Sequence, residues 1–332
     1  MINSSKMMSF SIMIMSTLLA LSSESWLGIW MGMEMNMIAF IPILYMTKNS
    51  QSSESCMIYF LTQSLGSILM LIAVLSNILI MVFPDMIKML FYTLLTLSMM
   101  IKLGVPPFHF WFPEIMNKMN WINCIILMTW QKVAPLCVMS YIIEMTPLTT
   151  IMIMTSVIMG SLGGLNQTSI RKIMAFSSIN HMGWMIACMK FNSSWMEYLI
   201  IYSIMISMIS MTLLYYSAYF INQIHSMSKS MSEKLMIIIM FLSLGGLPPF
   251  LGFLPKWMVI QAMIISKSYS IMIIMILTVL ITLFFYLRMT SPTMMLNNNT
   301  NKWNSEKTIN MKLTKMILLL NCSIPVISTF SF

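Results

Sequence analysis

Four charged side chains fall inside long apolar runs of a chain in which only 8% of residues are charged: Glu34, Lys102, Lys132 and Lys256. An ionisable group at the centre of a bilayer costs roughly 2.5–3.5 kcal/mol on insertion scales. Four such groups point to a buried polar pathway for ions or protons. Lysine suits proton transfer, because burial favours the neutral amine whereas a nearby carboxylate favours the ammonium. A lysine beside a movable glutamate can therefore alternate between the two. Glu34 is the one acid deep in an apolar run, which makes it the natural partner. His181 is the one histidine in mid-run, within Ser177-Ser178-Ile179-Asn180-His181. An imidazole exchanges protons near neutral pH, so His181 reads either as a relay or as a helix-packing hydrogen bond.

Each lysine of the set stands near a helix breaker. Lys102 precedes Gly104 and Pro106-Pro107, Lys132 is three residues before Pro135, and Lys256 directly follows Pro255. A break at membrane depth frees backbone carbonyls and amides, and is tolerated only inside protein or beside a water-filled cavity. Lys88, Lys190 and Lys267 lie near the ends of apolar runs and read as snorkelling side chains.

The elements that must position these groups are membrane helices. The 332 residues are 58% hydrophobic, with a mean hydropathy of +0.85. Soluble domains carry about 25% charged residues. Runs of about 20 apolar residues suffice to cross a bilayer, and backbone in lipid must be helical. The predicted class is all-α, a polytopic membrane protein with one domain over 1–332. Eleven spans can be drawn: 7–23, 26–46, 56–83, 86–112, 119–143, 147–168, 172–190, 196–221, 235–265, 269–289 and 313–331. The first run reads as a retained helix, because another apolar run follows it almost at once. With eleven spans, 12 basic residues fall on the N-terminal side and 3 on the other. That asymmetry places the N-terminus, and the loop Asn297 to Lys312, on the matrix or cytoplasmic side.

Other chemistries are poorly served. The net charge of +9 is scattered singly through short loops, so no nucleic-acid surface is expected. Cys56, Cys124, Cys137, Cys188 and Cys322 lie in or beside apolar runs without a C-x-x-C pair, and are expected to be inert buried thiols. No ligand set for zinc, haem or an iron–sulfur cluster is evident, nor is a dinucleotide fingerprint, so no cofactor is expected in this chain. Gly160, Gly163 and Gly164 follow no strand and suit close helix packing. The 46 methionines are spread through every run and read as compositional bias.

The chain also repeats itself. Gly104-Val-Pro-Pro-Phe108 with Pro113-Glu114 matches Gly246-Leu-Pro-Pro-Phe250 with Pro255-Lys256, at an offset of 142 and with five of eleven positions identical. Paired Gly/Pro-interrupted spans in two halves mark a transporter's site.

These segments, taken in order, resemble the NADH dehydrogenase subunit 2 family of mitochondrial respiratory complex I in its short animal form. The resemblance rests on Ser25-Trp-Leu-Gly to Glu34-Met-Asn36, Lys102-Leu-Gly-Val-Pro-Pro-Phe-His-Phe-Trp111 and Trp130-Gln-Lys-Val-Ala-Pro135. It continues through Leu165-Asn-Gln to Arg171-Lys172, Ser177-Ser to His181-Met-Gly-Trp184, and Gly245-Gly-Leu-Pro-Pro-Phe to Lys256-Trp257. It implies an antiporter-like fold of two inverted five-helix repeats with broken helices, lacking three N-terminal helices of bacterial relatives. It also implies a role for Glu34, Lys102, Lys132 and Lys256 in proton translocation, and less firmly for His181. NADH, FMN, iron–sulfur clusters and ubiquinone would reside in other subunits. Partners would be other membrane-arm subunits, including adjacent antiporter-like ones, and lipids. The location would be the mitochondrial inner membrane, N-terminus in the matrix and C-terminus toward the intermembrane space. Two alternatives stand beside this reading. One is a free-standing cation/proton antiporter, disfavoured because cation sites prefer oxygen ligands over lysines. The other is a subunit that only braces the membrane arm.

Overall fold

The structure is a computed structural model, and it describes residues 4–46, 49–76, 84–143, 148–191, 193–227, 231–295 and 311–321. Its regular elements are α-helices, and the chain divides into two compact units, Met1–Thr155 and Ser156–Phe332.

The first unit contains α1 (Ser4–Ser22), α2 (Trp26–Leu44), α3 (Ser50–Ser76), α4 (Pro84–Leu103), α5 (Trp111–Lys118), α6 (Trp121–Met128) and α7 (Trp130–Ile142). Helix α8 (Leu148–Gly164) begins in this unit and ends in the second. The second continues with α9 (Ile170–Lys190), α10 (Trp195–Tyr215), α11 (Ile221–Met227), α12 (Met231–Gly245), α13 (Phe253–Ile265), α14 (Tyr269–Met295) and α15 (Met311–Asn321).

Six stretches among the described residues are helical, long and apolar enough to cross a membrane: α1, α2, α3, α6 with α7, α10 and most of α14. The protein is an all-α, multi-pass membrane protein. Its outward faces are apolar, as a lipid or subunit environment requires. Met15 on α1 and Leu280 and Phe284 on α14 each expose about 61% of their surface. Helix α9 is the counterexample that explains itself. It carries Ser177, Ser178, Asn180 and His181, all buried, because nearly every face of it is covered by protein.

The fourth and ninth expected spans carry internal Pro and Gly, and both are broken there: α4 stops at Leu103 and α5 starts at Trp111, and the ninth divides between α12 and α13. The fifth differs in detail: it breaks at Thr129 rather than at Pro135, which sits inside α7. Proline has no N–H to donate to the carbonyl four residues back, so Pro135 relieves Gln131 of a helical partner just beyond the break. Cys322, Lys48, Lys229, residues 297–310 with Lys302 and Lys307, and the part of the eleventh span beyond Asn321 lie outside the described residues.

The sequence repeat is also a repeat of local structure. The helix before each break ends at Leu103 and Gly245, and the helix after it begins at Trp111 and Phe253, each pair 142 residues apart. Gly104 and Gly246 both take a left-handed conformation, with φ of 68° and 78°. Glycine does so without the steric cost other residues meet. Three hydrogen bonds recur in register. Gly104 N–H bonds to Ile101 O and Gly246 N–H to Ser243 O. Val105 N–H bonds to Met100 O and Leu247 N–H to Leu242 O. Phe108 N–H bonds to Val105 O and Phe250 N–H to Leu247 O.

Candidate functional site

The broken end of α4 explains the placement of Lys102. Its last carbonyls lack helical partners, and such groups must be satisfied elsewhere when buried. Gln63 of α3 donates its Nε2 to the Lys102 carbonyl at 3.2 Å. The Lys102 side chain lies in the last turn of α4, the end of a helix that favours a cation. Its stem runs against Gly66 of α3, where an added Cβ would stand 2.9 Å from Lys102 Cγ. Lys102 is 8% exposed, and its Nζ lies 3.6 Å from Met33 Sδ.

Lys132 occupies the first turn of α7, one turn past the break at Thr129, and is 3% exposed. Its Nζ lies 5.6 Å from the ring centre of Phe112, within cation–π range. Glu34 projects from the middle of α2 and is half-buried.

Glu34, Lys102 and Lys132 line one cavity, together with Gln63, Tyr59 and Gln131. The cavity volume is about 30 Å³, enough for about two waters. Glu34 is within electrostatic reach of Lys102, but among the described residues the two form no direct ion pair. A proton passing between them must cross the cavity by way of water or by motion of a side chain.

The second unit holds Lys256 and His181. Lys256 lies in the first turn of α13 and is 4% exposed. Its Nζ donates to Gly245 O at 2.8 Å and approaches Leu244 O at 3.5 Å. The side-chain nitrogen thereby caps the carbonyls that the break of α12 leaves open. Gly246 makes this possible, since an added Cβ there would stand 2.8 Å from Lys256 Cδ and 2.9 Å from Nζ. Lys256 Nζ also lies 5.9 Å from the Trp184 ring centre. His181 is three residues before Trp184 on α9. Its Nδ1 and the Tyr198 hydroxyl share a 2.8 Å hydrogen bond, and its ring sits 5.0 Å from that of Tyr202. The repeat does not make the lysines equivalent. Lys256 corresponds to Glu114, and Lys102 to Leu244.

Sequence reasoning passed over Asn36, Tyr59, Gln63 and Gln131, which share the cavity with the charged groups. Asn36 and Gln131 are uncharged polar residues within two positions of Glu34 and Lys132, and that adjacency was the available signal. Cys56, Cys124, Cys137 and Cys188 are buried thiols outside any disulfide among the described residues. Among the described residues no group of three or more His, Cys, Asp or Glu side chains is placed to hold a metal ion.

Residues 23–282 match the family described as NADH:quinone oxidoreductase/Mrp antiporter, transmembrane. The chain belongs to that family. Two relatives carry the same name, NADH-ubiquinone oxidoreductase chain 2. The one from Locusta migratoria is 42% identical, over 99% of this chain and 94% of its own length. The one from Anopheles gambiae is 44% identical, over 93% of this chain and 92% of its own. The fold of the antiporter family is shared with a chain of respiratory complex I from Thermus thermophilus. There the TM-score is 0.81 at 17% identity, over 95% of this chain and 75% of that one.

Proposed function

We propose that this chain, as a membrane subunit of proton-translocating NADH:ubiquinone oxidoreductase, moves protons through a buried series of Glu34, Lys102, Lys132 and Lys256. The observation that carries the reading is the cavity of the first unit, which gathers one carboxylate and two lysines around room for water. Glu34 and Lys102 act as a switchable pair. When the carboxylate draws near, the Lys102 ammonium is favoured; when it withdraws, the lysine gives up its proton. Lys132 takes that proton as the central carrier. Lys256 leads toward the intermembrane-space exit or the adjacent antiporter-like subunit, with His181 as a relay.

The recurring Gly-Pro-Pro geometry supports a repeat with broken helices; on this reading the chain is a single antiporter-like domain over 1–332, with two inverted repeats crossing the membrane about eleven times. The charge asymmetry of 12 to 3 supports a matrix N-terminus in the mitochondrial inner membrane. NADH, FMN, iron–sulfur clusters and ubiquinone belong, on this reading, to other subunits. Neighbouring antiporter-like subunits and lipids cover the apolar outer faces. Relatives named as oxidoreductase chains favour this assignment over a free-standing cation/proton antiporter.

The switch is tested by a double-mutant cycle in the assembled complex. Glu34→Gln and Lys102→Met should each slow proton-coupled turnover. The double variant should be little worse than either alone, because both act on one element. Fully additive losses in the logarithm of turnover would mean that the two residues act independently.

A further inference from the structure

The cavity holds a second set of groups that carry no charge. Asn36 Nδ2 donates to Gln131 Oε1 at 3.0 Å, and Gln131 Nε2 donates back to Asn36 Oδ1 at 3.2 Å. The Tyr59 hydroxyl donates to the same Gln131 Oε1 at 3.4 Å. Helices α2, α3 and α7 are thus tied at one amide. Asn36 stands two residues beyond Glu34, and Gln131 directly precedes Lys132. The Tyr59 ring is itself held, 5.1 Å from Phe40 and 6.3 Å from Trp111. All three tied residues line the cavity of Glu34, Lys102 and Lys132.

A primary amide neither gains nor loses a proton under physiological conditions, so Asn36 and Gln131 are poor carriers. They are, however, directional. A reciprocal amide pair fixes both the distance and the rotation of the two helices that bear it. Apolar side chains of similar volume could fill this space with little loss of stability, but they would not fix that register. We propose that Asn36, Tyr59 and Gln131 form a positioning clasp. It holds Glu34 on α2 and Lys132 on α7 at a set separation and so defines the water-sized gap across which the cavity's charged groups exchange a proton. The clasp rests on the function proposed above. A displacement of α2 against α7 that carries Glu34 away from Lys102 would stretch or break it. It therefore biases the switch toward one arrangement.

The test uses the assembled complex in sealed membrane vesicles, with NADH-driven proton uptake and NADH oxidation measured together. Asn36→Leu and Gln131→Leu should each lower proton-coupled turnover by about fivefold or more, the rate equivalent of one net hydrogen bond. The exchanged pair Asn36→Gln with Gln131→Asn keeps both amides and their summed length, and should recover turnover to within about twofold of wild type. Residues needed only for packing would tolerate the Leu variants, whose volume is similar, with little loss of turnover. Tyr59→Phe keeps the edge-to-face ring contacts and removes a single donor, so assembly is preserved and a loss of about two- to threefold is expected. Wild-type rates in assembled Asn36→Leu, Gln131→Leu and Tyr59→Phe would overturn the clasp, as would an exchanged pair no better than the single variants. Lys132→Met run in the same vesicles separates the two levels. If it alone abolishes pumping while the clasp variants pump normally, the clasp fails and the lysine pathway stands. If Lys132→Met also pumps normally, the pathway fails and takes the clasp with it.

Discussion

Gly66 has no functional group, yet its replacement should impair proton transfer through Lys102. In Gly66→Ala the new Cβ would lie 2.9 Å from Lys102 Cγ, 3.3 Å from the Ser98 carbonyl oxygen and 3.5 Å from Ile101 Cγ2. Carbon atoms settle at about 3.5–4.0 Å, so the lysine stem must retreat by roughly 0.6 Å or more. Its Cγ moves only by rotation about χ1, so any rotamer change that relieves the contact also relocates the rest of the side chain, amine included. The carbonyl of Ser98 belongs to α4 as well, so the helix itself is pressed. Overpacking of this kind costs about 1–3 kcal/mol. Where that strain falls on the position from which the Lys102 amine exchanges its proton, coupled turnover should drop by about five- to 150-fold. The assay is NADH-driven proton uptake by vesicles carrying the assembled complex, with assembly checked on native gels. Lys102→Ala removes the clashing Cγ, so Gly66→Ala should add little to the loss in that background. Undiminished pumping by assembled Gly66→Ala, or a full additive loss on top of Lys102→Ala, would refute the reasoning.

Lys256→Met should leave the Gly245 carbonyl without its side-chain donor, a loss of about 1–3 kcal/mol for a buried acceptor, and should lower the midpoint of thermal inactivation of the complex as well as its pumping; an unchanged midpoint would show that the cap carries no stability. Ser305→Cys, in the loop expected to face the matrix, should resist a membrane-impermeant maleimide applied to the intermembrane-space side of intact mitoplasts, and ready labelling from that side would reverse the orientation.

Charged residues in apolar runs are legible in a sequence because each is costly on its own. Glu34, Lys102, Lys132 and Lys256 could be singled out without knowing their neighbours. The breaks at Gly104 and Gly246 were legible for a similar reason, since glycine followed by two prolines cannot continue a helix. The break at Thr129 was not, because threonine carries no such mark and Pro135 drew the expectation downstream. Nor could the sequence place Asn36 against Gln131, 95 positions apart. Uncharged amides cost little wherever they occur, so their pairing depends on how α2 and α7 pack. The same holds for Gln63 on the Lys102 carbonyl and for Tyr198 on His181, contacts that exist only once helices are assembled.

The most direct test of the buried lysine series is the proton-to-electron ratio of assembled Lys132→Met complex. The residue is nearly fully buried, shares its cavity with Glu34 and Lys102, and faces the Phe112 ring. Methionine keeps its volume and removes only the exchangeable protons. The expected result is normal assembly with reduced turnover and a lowered ratio in sealed vesicles. A wild-type rate and ratio would contradict the series at its central member.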